Sequence, residues 1–402
     1  MNVKSGYPFW AIKNGLMCAF PPLGRDRTCD VVVIGGGITG AIIADELSRH
    51  GHDVIVLEQR DVAWGSTAAS TALLQFEIDT HMVDLAKQYD EDTAVLAYRS
   101  CAEAISMLRT LAREVGDVGF EMADSLYVAG TPRHVGTLLA ELTLRTKHGL
   151  PGVWFSANAV RERFAFDAPG AILSDLAATV DPYRLACRLL YRVQRRGAGV
   201  FDRTTVESIT PTPRGVSVRT TKDITLRAKH VVIAAGYESQ RWLDKRVAKN
   251  RSSYACISDP MDPALLGPIK RTMIWESSRP YLYLRTTDDH RLLVGGEDDA
   301  VDIPSKRDAR VSKRAGQLTE RVDDWFPHLA MAPAFAWAGT FAETADGLPF
   351  FGPTPQRGPR VHFAMAYGGN GITYSMLGAG VVRAAIERRP HELAELYAFS
   401  RA

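Results

Sequence analysis

A cluster of glycines near the start of the chain follows a short apolar run and could bind phosphate groups through backbone N–H groups. The run from Val31 to Ile34 is typical of a parallel strand that is buried on both faces. It leads directly into Gly35-Gly36-Gly37-Ile38-Thr39-Gly40. In this pattern Gly35 permits a tight turn, Gly37 lets the backbone approach a pyrophosphate, and Gly40 lets the next helix pack closely on the strand. The pattern predicts a dinucleotide-binding βαβ unit.

A helix and a carboxylate complete this unit. The helix, expected from Ile38 to about Arg49, offers its N-terminal N–H groups and the positive end of its dipole to the phosphates. The chain then returns as a second apolar strand that ends in Glu58, about 20 residues beyond the glycines. We expect Glu58 to accept the ribose hydroxyls, and we count the adjacent Gln59 with the cofactor-binding residues. A carboxylate at this position disfavours a 2′-phosphate and therefore NADP.

Four further segments are rich in glycine and small residues. They are Gly65-Ser66-Thr67-Ala68-Ala69-Ser70, Lys229 to Gly236 with the ending Ala234-Ala235-Gly236, Asp346-Gly347-Leu348-Pro349-Phe350-Phe351-Gly352, and Tyr367-Gly368-Gly369-Asn370-Gly371-Ile372-Thr373. Together with the glycine-rich turn, they resemble in kind and order the motifs of the D-amino acid oxidase, glycine oxidase and sarcosine oxidase superfamily. The resemblance spans roughly Asp30 to Glu387.

The resemblance implies FAD as the cofactor and assigns its contacts. Ser66 and Thr67 would hydrogen-bond the pyrophosphate or flavin region, and Val206 would contact adenine through backbone atoms. A second helix start would face the ring of the flavin, where its N–H groups can stabilise the negative charge of the reduced form. The other implied cofactor-binding residues are Ala235, Gly236, Asp346, Gly347, Gly369, Asn370, Gly371, Ile372 and Thr373.

The same resemblance predicts that FAD is bound noncovalently. Some members of the superfamily attach the flavin through a cysteine or a histidine. The corresponding positions in this chain are Gly339 and Ala69, which cannot form such a bond. No metal site is indicated by the sequence.

A segment rich in tyrosine and arginine is the candidate substrate-binding strand. In Arg279-Pro280-Tyr281-Leu282-Tyr283-Leu284-Arg285 the two-residue period places the tyrosines and arginines on one face and the leucines on the other. A half-solvated antiparallel strand would show the same pattern. In relatives of the glycine oxidase type the tyrosine matching Tyr281 lies at the substrate pocket, so the resemblance assigns a site role to Tyr281. Tyr283 and Arg285 lie on the same face and are candidate catalytic residues with it.

The chain departs from the family where a substrate carboxylate would bind. Phe341 stands at the position of an arginine that holds the carboxylate in amino acid oxidases, and Gln75 and Thr373 replace basic residues of sarcosine oxidase-like enzymes. Either an arginine of the substrate-binding strand pairs with a carboxylate, or the substrate is not a simple α-amino acid. Gln75 and Glu77 could favour a cationic amine such as a polyamine derivative. The alternative for Glu77 and Asp79 is a solvated or capped turn.

The leading hypothesis is therefore an FAD-dependent oxidoreductase that acts on CH–NH or CH–NH2 donors. It would oxidise a D-amino acid, glycine, an N-methyl amino acid or a polyamine derivative by hydride transfer to FAD, give an imine that hydrolyses, and pass electrons to oxygen or another acceptor. One alternative is a flavin dehydrogenase of a 2-hydroxy acid or glycerol phosphate, which would need a base such as histidine. Another is a noncatalytic FAD-binding protein.

The order of motifs predicts an α/β fold with a discontinuous, glutathione-reductase-like Rossmann-type FAD-binding domain. An α+β substrate domain with an antiparallel sheet would be inserted into it. The expected boundaries are 30–95, 165–240 and 335–402 for the FAD-binding domain, 96–164 and 241–334 for the substrate domain, and 1–29 for an N-terminal extension. Beyond the first unit, the expected strands are Ser125 to Ala129, Gly215 to Thr220, His230 to Ala234, Tyr281 to Arg285, Arg291 to Val294 and Val361 to Ala366. The expected helices are Asp92 to Val115, Pro132 to His148, Pro182 to Arg196 and Ile372 to Arg388.

Composition argues against large charged partners. The 402 residues include 48 basic and 46 acidic side chains with a net charge of +2, so no strong attraction to nucleic acid or anionic membranes is expected. The longest apolar stretch, about residues 330–342, is too short to span a bilayer. The five scattered cysteines indicate neither a disulfide framework nor a zinc site. We expect a cytoplasmic, reduced protein with small-molecule partners, and the oligomeric state stays open.

Overall fold

The apolar run before the glycine-rich turn forms the central strand of a parallel sheet. In the computed structural model, which describes residues 2–300 and 302–401, this strand spans Arg27–Ile34 and its last four residues are buried. It pairs in parallel with Val54–Leu57 on one side and with Thr225–Ile233 on the other. Helix Ile38–Arg49 connects the first two of these strands. The predicted βαβ unit is confirmed.

Within the described residues there are seventeen strands and twelve α-helices, numbered in chain order. The strands are β1 (Arg27–Ile34), β2 (Val54–Leu57), β3 (Leu73–Gln75), β4 (Glu121–Val128), β5 (Val153–Ser156), β6 (Gly170–Thr179), β7 (Gly199–Phe201), β8 (Val206–Thr212), β9 (Gly215–Thr220), β10 (Thr225–Ile233), β11 (Lys249–Ser258), β12 (Thr272–Glu276), β13 (Leu282–Thr286), β14 (Leu292–Asp299), β15 (Pro333–Glu343), β16 (Phe350–Pro353) and β17 (Val361–Met365). The helices are α1 (Phe9–Asn14), α2 (Ile38–Arg49), α3 (Ser66–Ala69), α4 (Met82–Gln88), α5 (Glu91–Val115), α6 (Val135–Lys147), α7 (Ala157–Phe164), α8 (Pro182–Arg195), α9 (Pro263–Leu266), α10 (Pro304–Asp308), α11 (Val311–Trp325) and α12 (Gly371–Ile386).

The first sheet has eight strands and a mostly parallel core. Its main path runs β16-β17-β10-β1-β2-β7, with β17, β10, β1, β2 and β7 parallel to their neighbours. The β8–β9 hairpin adds to the first half of β10, and β16 pairs antiparallel with β17. Helices α2, α5, α8 and α12 pack together beside this sheet and share its largest apolar core. This layering covers the buried C-terminal ends of β1 and β10 and the whole of β2.

The second sheet has nine strands and is mostly antiparallel. Its path is β15-β11-β14-β13-β12-β4-β6-β3, with β5 beside β6, and β4 and β12 form a parallel pair. Helix α11 packs against β11, β14 and β15, with Ala315, Leu318 and Val322 buried at helical spacing. The two sheets together have the mixed architecture that the motif order predicts.

The predicted domain boundaries stay a prediction, and the strands do not follow them everywhere. Strands β3 and β6 lie inside segments assigned to the FAD-binding domain, yet both belong to the second sheet. Most of β15 lies in such a segment as well and also pairs in that sheet. Antiparallel pairing with neighbours far away in the chain places these strands, and a motif-based boundary does not contain that information.

Most of the predicted elements are present with small shifts at their ends. The ten expected elements correspond to β4, β9, β10, β13, β14, β17, α5, α6 with a preceding 3-10 turn, α8 and α12. Several elements had not been predicted, among them β6, β11, β12, β15 and α11. In β15 the apolar run begins with Pro333, which a strand tolerates at its first residue.

The expectation of five reduced cysteines is wrong in this structure. Cys18, in the N-terminal extension, forms a disulfide with Cys187 of α8, and the two Cα atoms are 5.8 Å apart. Cys29, Cys101 and Cys256 are free. The bonded pair is separated by 169 residues, so no local spacing motif could have revealed it. Across the described ranges, no helix has the length and apolar character needed to cross a membrane.

Replacing Gly40 by alanine tests the close packing of α2 on the glycine-rich turn. A Cβ atom at Gly40 would lie 1.9 Å from the carbonyl oxygen of Gly35, so the turn or the helix must move. We expect Gly40→Ala to lower the free energy of unfolding by about 1–3 kcal/mol, as for other overpacked sites. Denaturant unfolding followed by circular dichroism measures this loss.

Gly316→Ala is the matched control, because a Cβ at this helical position in α11 meets no atom within 4 Å. It should leave stability unchanged or raise it slightly, since alanine favours helix more than glycine does. Equal effects of the two substitutions would contradict the packing role of Gly40.

Thiol titration tests the disulfide. Protein purified without reductant and then denatured should react with three equivalents of a thiol reagent, and reduced protein with five. Peptide mapping under non-reducing conditions should link Cys18 to Cys187. Five reactive thiols in protein never exposed to reductant would contradict the pairing.

Candidate active site

A cavity of about 320 Å³ extends from the glycine-rich turn to the face of the second sheet. Most predicted site residues line it. Those at the end formed by the first sheet are Gly35, Gly37, Ile38, Thr39, Glu58, Gln59, Ser66, Thr67, Val206, Ala235, Gly236, Gly369, Asn370, Gly371, Ile372 and Thr373. Those at the end formed by the second sheet are Tyr281, Tyr283 and Phe341. Residues from distant parts of the sequence therefore meet at one site.

The first end of the cavity is built around the start of α2. Gly35 has a φ of +116°, which other residues rarely adopt, and this turn directs the chain into the helix. The hydroxyl oxygen of Thr67 accepts a hydrogen bond of 2.9 Å from the N–H of Ile38. This bond joins the serine- and threonine-rich segment to the first turn of α2. The two motifs thus form one continuous wall with backbone donors.

The carboxylate of Glu58 lies beside this turn. It accepts hydrogen bonds from the N–H groups of Gly36 at 2.9 Å and Arg60 at 2.8 Å. Burial raises the pKa of the Glu58 carboxyl above its ordinary value, and the two backbone donors act in the opposite direction. A carboxylate fixed in this way can accept hydrogen bonds from a ribose diol.

A second helix start reaches the same cavity. Asn370 precedes α12 and its side-chain amide donates to the carbonyl oxygen of Glu77 at 2.8 Å. The hydroxyls of Thr39 in α2 and Ser375 in α12 are 2.8 Å apart, and Ser375 donates to the carbonyl oxygen of Gly371 at 2.7 Å. These bonds fix the two helix starts relative to each other. Their positive dipole ends converge on the cavity.

These residues fit FAD. A helix start with glycine backbone suits the pyrophosphate, Glu58 suits the ribose, and the α12 start suits the polar edge of the flavin. Among the described residues no cysteine or histidine lines the cavity, and Gly339 and Ala69 do line it. This lining supports the prediction of noncovalent binding.

Three predicted cofactor residues do not line the cavity. Gly40 packs against Gly35 beneath the turn. Asp346 forms an ion pair of 2.6 Å with Arg401 and accepts a hydrogen bond of 2.7 Å from the hydroxyl of Tyr89. Gly347 accepts a hydrogen bond from Tyr374 through its carbonyl oxygen. The Asp346-Gly347 motif therefore fixes the chain around the site and does not reach into the cavity.

Arg285, predicted as a catalytic residue, also lies outside the cavity lining. Its guanidinium group donates to the backbone carbonyl oxygens of Thr71 at 2.7 Å, Val180 at 3.0 Å and Thr286 at 3.1 Å. The residue is 2% exposed, and burial lowers the pKa of the Arg285 guanidinium to about 10. Two-residue alternation places Arg285 on the same face as the tyrosines. It lies farther along the strand, however, where its guanidinium binds backbone carbonyl oxygens and does not line the cavity.

The second end of the cavity is aromatic and acidic. The ring of Trp275 lines it and is stacked at 3.6 Å on Tyr127. Burial raises the pKa of both the Tyr281 and the Tyr283 hydroxyls, that of Tyr283 to about 12, so both stay protonated at neutral pH. The lining carboxylates at this end come from Asp79, Asp298 and Glu343.

For Asp79 the sequence left a solvated or capped turn as an alternative to a site role. In the structure Asp79 lines the cavity and accepts a hydrogen bond of 2.9 Å from the N–H of Gly369. Its neighbour Glu77, suggested as a substrate contact, is fully buried outside the lining, 3.5 Å from Arg145. Asp298 and Glu343 occupy the ends of β14 and β15, where no sequence motif marks them.

The N-terminal extension also reaches the cavity, which the sequence did not indicate. Val3 lines it, and the Val3 carbonyl oxygen accepts a hydrogen bond of 2.8 Å from Thr340 of β15. The indole N–H of Trp10 donates to the carbonyl oxygen of Ser70 at 2.7 Å, at the end of the serine- and threonine-rich segment. The extension thus covers the middle of the site.

A parallel sheet with two helix starts at one cavity defines a dinucleotide-binding protein. The sequence model of the family described as DAO, FAD dependent oxidoreductase, matches residues 30–385. The chain belongs to this family.

Curated relatives match over most of their length. Glycine oxidase of Geobacillus kaustophilus (strain HTA426) is 28% identical, with 90% of this chain and 93% of the relative covered. Gamma-glutamylputrescine oxidoreductase of Escherichia coli (strain K12) is 26% identical, with 93% of this chain and 87% of the relative covered.

Solved structures share the fold. Glycine oxidase from Geobacillus kaustophilus superposes with a TM-score of 0.77 at 22% identity, over 93% of this chain and 99% of that chain. L-proline dehydrogenase from P. horikoshii gives a TM-score of 0.78 at 19% identity, over 94% and 99%. The predicted family, the fold class with its Rossmann-type unit, the use of FAD and the oxidoreductase class are confirmed.

Substitution of Glu58 tests its predicted role at the ribose. Glu58→Gln keeps the shape but loses the charge, and a hydrogen bond to a charged group contributes about 1.5–3 kcal/mol. We expect FAD affinity to fall by roughly 10- to 100-fold, measured by adding FAD to the apoprotein and following flavin fluorescence. Glu207→Gln, on the exposed surface of β8, is the control and should bind FAD as the unmodified protein does. Unchanged affinity in Glu58→Gln would remove this residue from the site.

Proposed function

We propose that this enzyme oxidises an amine at the carbon next to the nitrogen and releases an imine that hydrolyses. The observation on which this proposal depends is the second end of the cavity, where aromatic rings and carboxylates surround the space beside the α12 helix start. Such a lining suits a substrate that is cationic in solution. Bound FAD supplies the acceptor for the two electrons and the hydrogen removed from the carbon.

The residues of the second end would position the amine and take up its proton. An amine must be neutral to lose a hydride, and a carboxyl group whose pKa is raised is a suitable proton acceptor. Burial raises the pKa of the Asp79 carboxyl, and one of its oxygens holds the Gly369 N–H at 2.9 Å. Asp79 would thus receive a proton from the bound ammonium group at the edge of the flavin site. Tyr281 and Phe341 would exclude water from the reacting carbon.

The relatives support an amine substrate. The two curated relatives described above are named for glycine and for gamma-glutamylputrescine, both of which contain an amino group. A 2-hydroxy acid or glycerol phosphate would need a base for its hydroxyl group. In the described part of the chain no histidine lines the cavity, and His81 lies outside it with its ring nitrogen 2.9 Å from the Tyr127 hydroxyl. This lining disfavours the alcohol dehydrogenase alternative.

Anaerobic titration of the holoenzyme with several substrate classes tests the proposal. The set contains glycine, N-methylglycine, D-alanine, n-butylamine, 1,4-diaminobutane, lactate and glycerol 3-phosphate. We expect amines alone to bleach the flavin absorption, with ammonia or methylamine and a carbonyl compound as products. Bleaching only by lactate or glycerol 3-phosphate would contradict the proposal, and so would a flavin that none of the compounds reduces. Admission of air then distinguishes an oxidase from a dehydrogenase.

Replacing Tyr281 by phenylalanine tests whether this residue touches the substrate. Tyr281 lines the cavity, and its replacement by phenylalanine removes the hydroxyl, and with it a hydrogen bond to the substrate, without changing the ring. We expect kcat/KM for the preferred amine to fall about 10-fold, equivalent to about 1.4 kcal/mol, with no change in bound FAD. Tyr191→Phe, on the partly exposed face of α8, is the control and should keep its full activity. Equal kinetics for Tyr281→Phe and the unmodified enzyme would exclude a substrate contact.

A further inference from the structure

The charges that line the cavity are separated along its length. The lining arginines are Arg60 and Arg241, which belong to the end with Glu58 and Val206. At the other end the described lining contains Asp79, Asp298 and Glu343 and no lysine or arginine. This end therefore offers negative charge to whatever lies beside the flavin ring.

The three carboxylates differ in how many groups of the protein compensate their negative charge. Glu343 forms ion pairs with Arg251 and with Arg279, the latter at 3.5 Å. Asp79 holds a backbone N–H, as described above. In the described part of the chain Asp298 has no such partner for its Oδ1 atom, which is buried and accepts no hydrogen bond. Burial raises the pKa of the Asp298 carboxyl to about 6, with a further contribution from the negative charges of Asp79 and Glu343.

The surroundings of Asp298 suit an organic cation. It lies near the end of β14, two residues after Gly296, and Gly295 has no side chain, so the ring of Tyr283 lies directly against the backbone there. A Cβ atom at Gly295 would lie 2.3 Å from that ring. The Tyr283 hydroxyl is 3.3 Å from the hydroxyl of Ser253, a side chain that also interacts with Asp298. Aromatic rings beside a carboxylate together attract an ammonium group.

We propose that Asp298 binds a second positive charge of the substrate, so that the preferred substrate is a diamine or polyamine with one amino group at the flavin and another at Asp298. This inference rests on the proposed amine oxidation and extends it to a substrate class. A buried carboxylate oxygen that accepts no hydrogen bond is costly, and a bound ammonium group offsets that cost by donating to the Oδ1 atom of Asp298. A monoamine leaves this oxygen without a donor.

A substrate with a carboxylate would need a cation at this end of the cavity. Arg279 is one candidate, but its guanidinium lies 3.9 Å above the ring of Tyr281, forms an ion pair with Glu343 and is 58% exposed at the side chain. It already has partners, and it does not line the cavity. The acidic lining therefore favours a second ammonium group over a carboxylate.

The experiment compares kcat/KM for 1,4-diaminobutane and for n-butylamine, which have the same carbon chain and differ by one amino group. In the unmodified holoenzyme we expect at least a 10-fold preference for the diamine. Asp298→Asn retains the size of the side chain, and we expect it to reduce this ratio about 10-fold or more, with Asp298→Glu restoring part of the preference. Flavin content and melting temperature of each variant show whether it is folded.

Asp299→Asn is the matched control, because the adjacent Asp299 carboxylate is bound to Tyr254 and Arg310 and does not line the cavity. It should leave the ratio unchanged. If the unmodified enzyme oxidises both amines equally well, or if Asp298→Asn keeps the diamine preference, the second-charge site is wrong while amine oxidation stands. If glycine or D-alanine is preferred and Arg279→Gln abolishes that preference, a carboxylate site replaces the proposed one. If no amine reduces the flavin, the proposed function itself fails.

Discussion

Two helix starts that meet at one point determine the rest of the site. The bond between Thr39 of α2 and Ser375 of α12 holds the two N-termini together, so two positive dipole ends face a single cavity. Without an anionic ligand this arrangement is unfavourable, because like partial charges are close together. A pyrophosphate at one helix and the polar edge of a flavin at the other compensate both. The fold is therefore built to receive FAD before any substrate contact is considered.

The positive helix starts help to stabilise acidic residues that line the cavity. Asp79 accepts the N–H of Gly369 just before α12, so the positive end of that helix stabilises part of its charge. Asp298 and Glu343 come from strands of the second sheet and not from a helix start. Glu343 has arginine partners, whereas the Oδ1 atom of Asp298 accepts no hydrogen bond among the described residues. The three carboxylates thus differ in the groups that compensate their charge, and the proposed second ammonium site is the one with an oxygen left unpaired.

The sequence predicted the parts of the site that are contiguous and missed those that are assembled from distant strands. The glycine-rich turn and Glu58 belong to one βαβ unit, so their spacing alone defines their geometry. Asp298 lies near the end of β14, which continues beyond the predicted end at Val294, and the pairing of β14 with the distant strand β11 is contained in no local pattern. Arg285 shows the converse error. Two-residue alternation correctly predicts the strand face on which Arg285 lies, but it does not show how far along the strand the cavity extends. The Arg285 guanidinium lies beyond the cavity lining and donates to three carbonyl oxygens.

The N-terminal extension shows how a segment without a motif becomes part of an active site. Its Lys4 pairs with Gly339 of β15, and its helix α1 places Trp10 against Ser70. Cys18 then attaches the same segment to α8 through the disulfide. The extension is therefore fixed at several points along a path that crosses the serine- and threonine-rich segment. Because that segment bonds to the first turn of α2 through Thr67, movement of the extension would be transmitted to the phosphate-binding turn. The contacts that attach the extension therefore also support the wall of the cofactor site, and they come from residues that no dinucleotide-binding fingerprint includes.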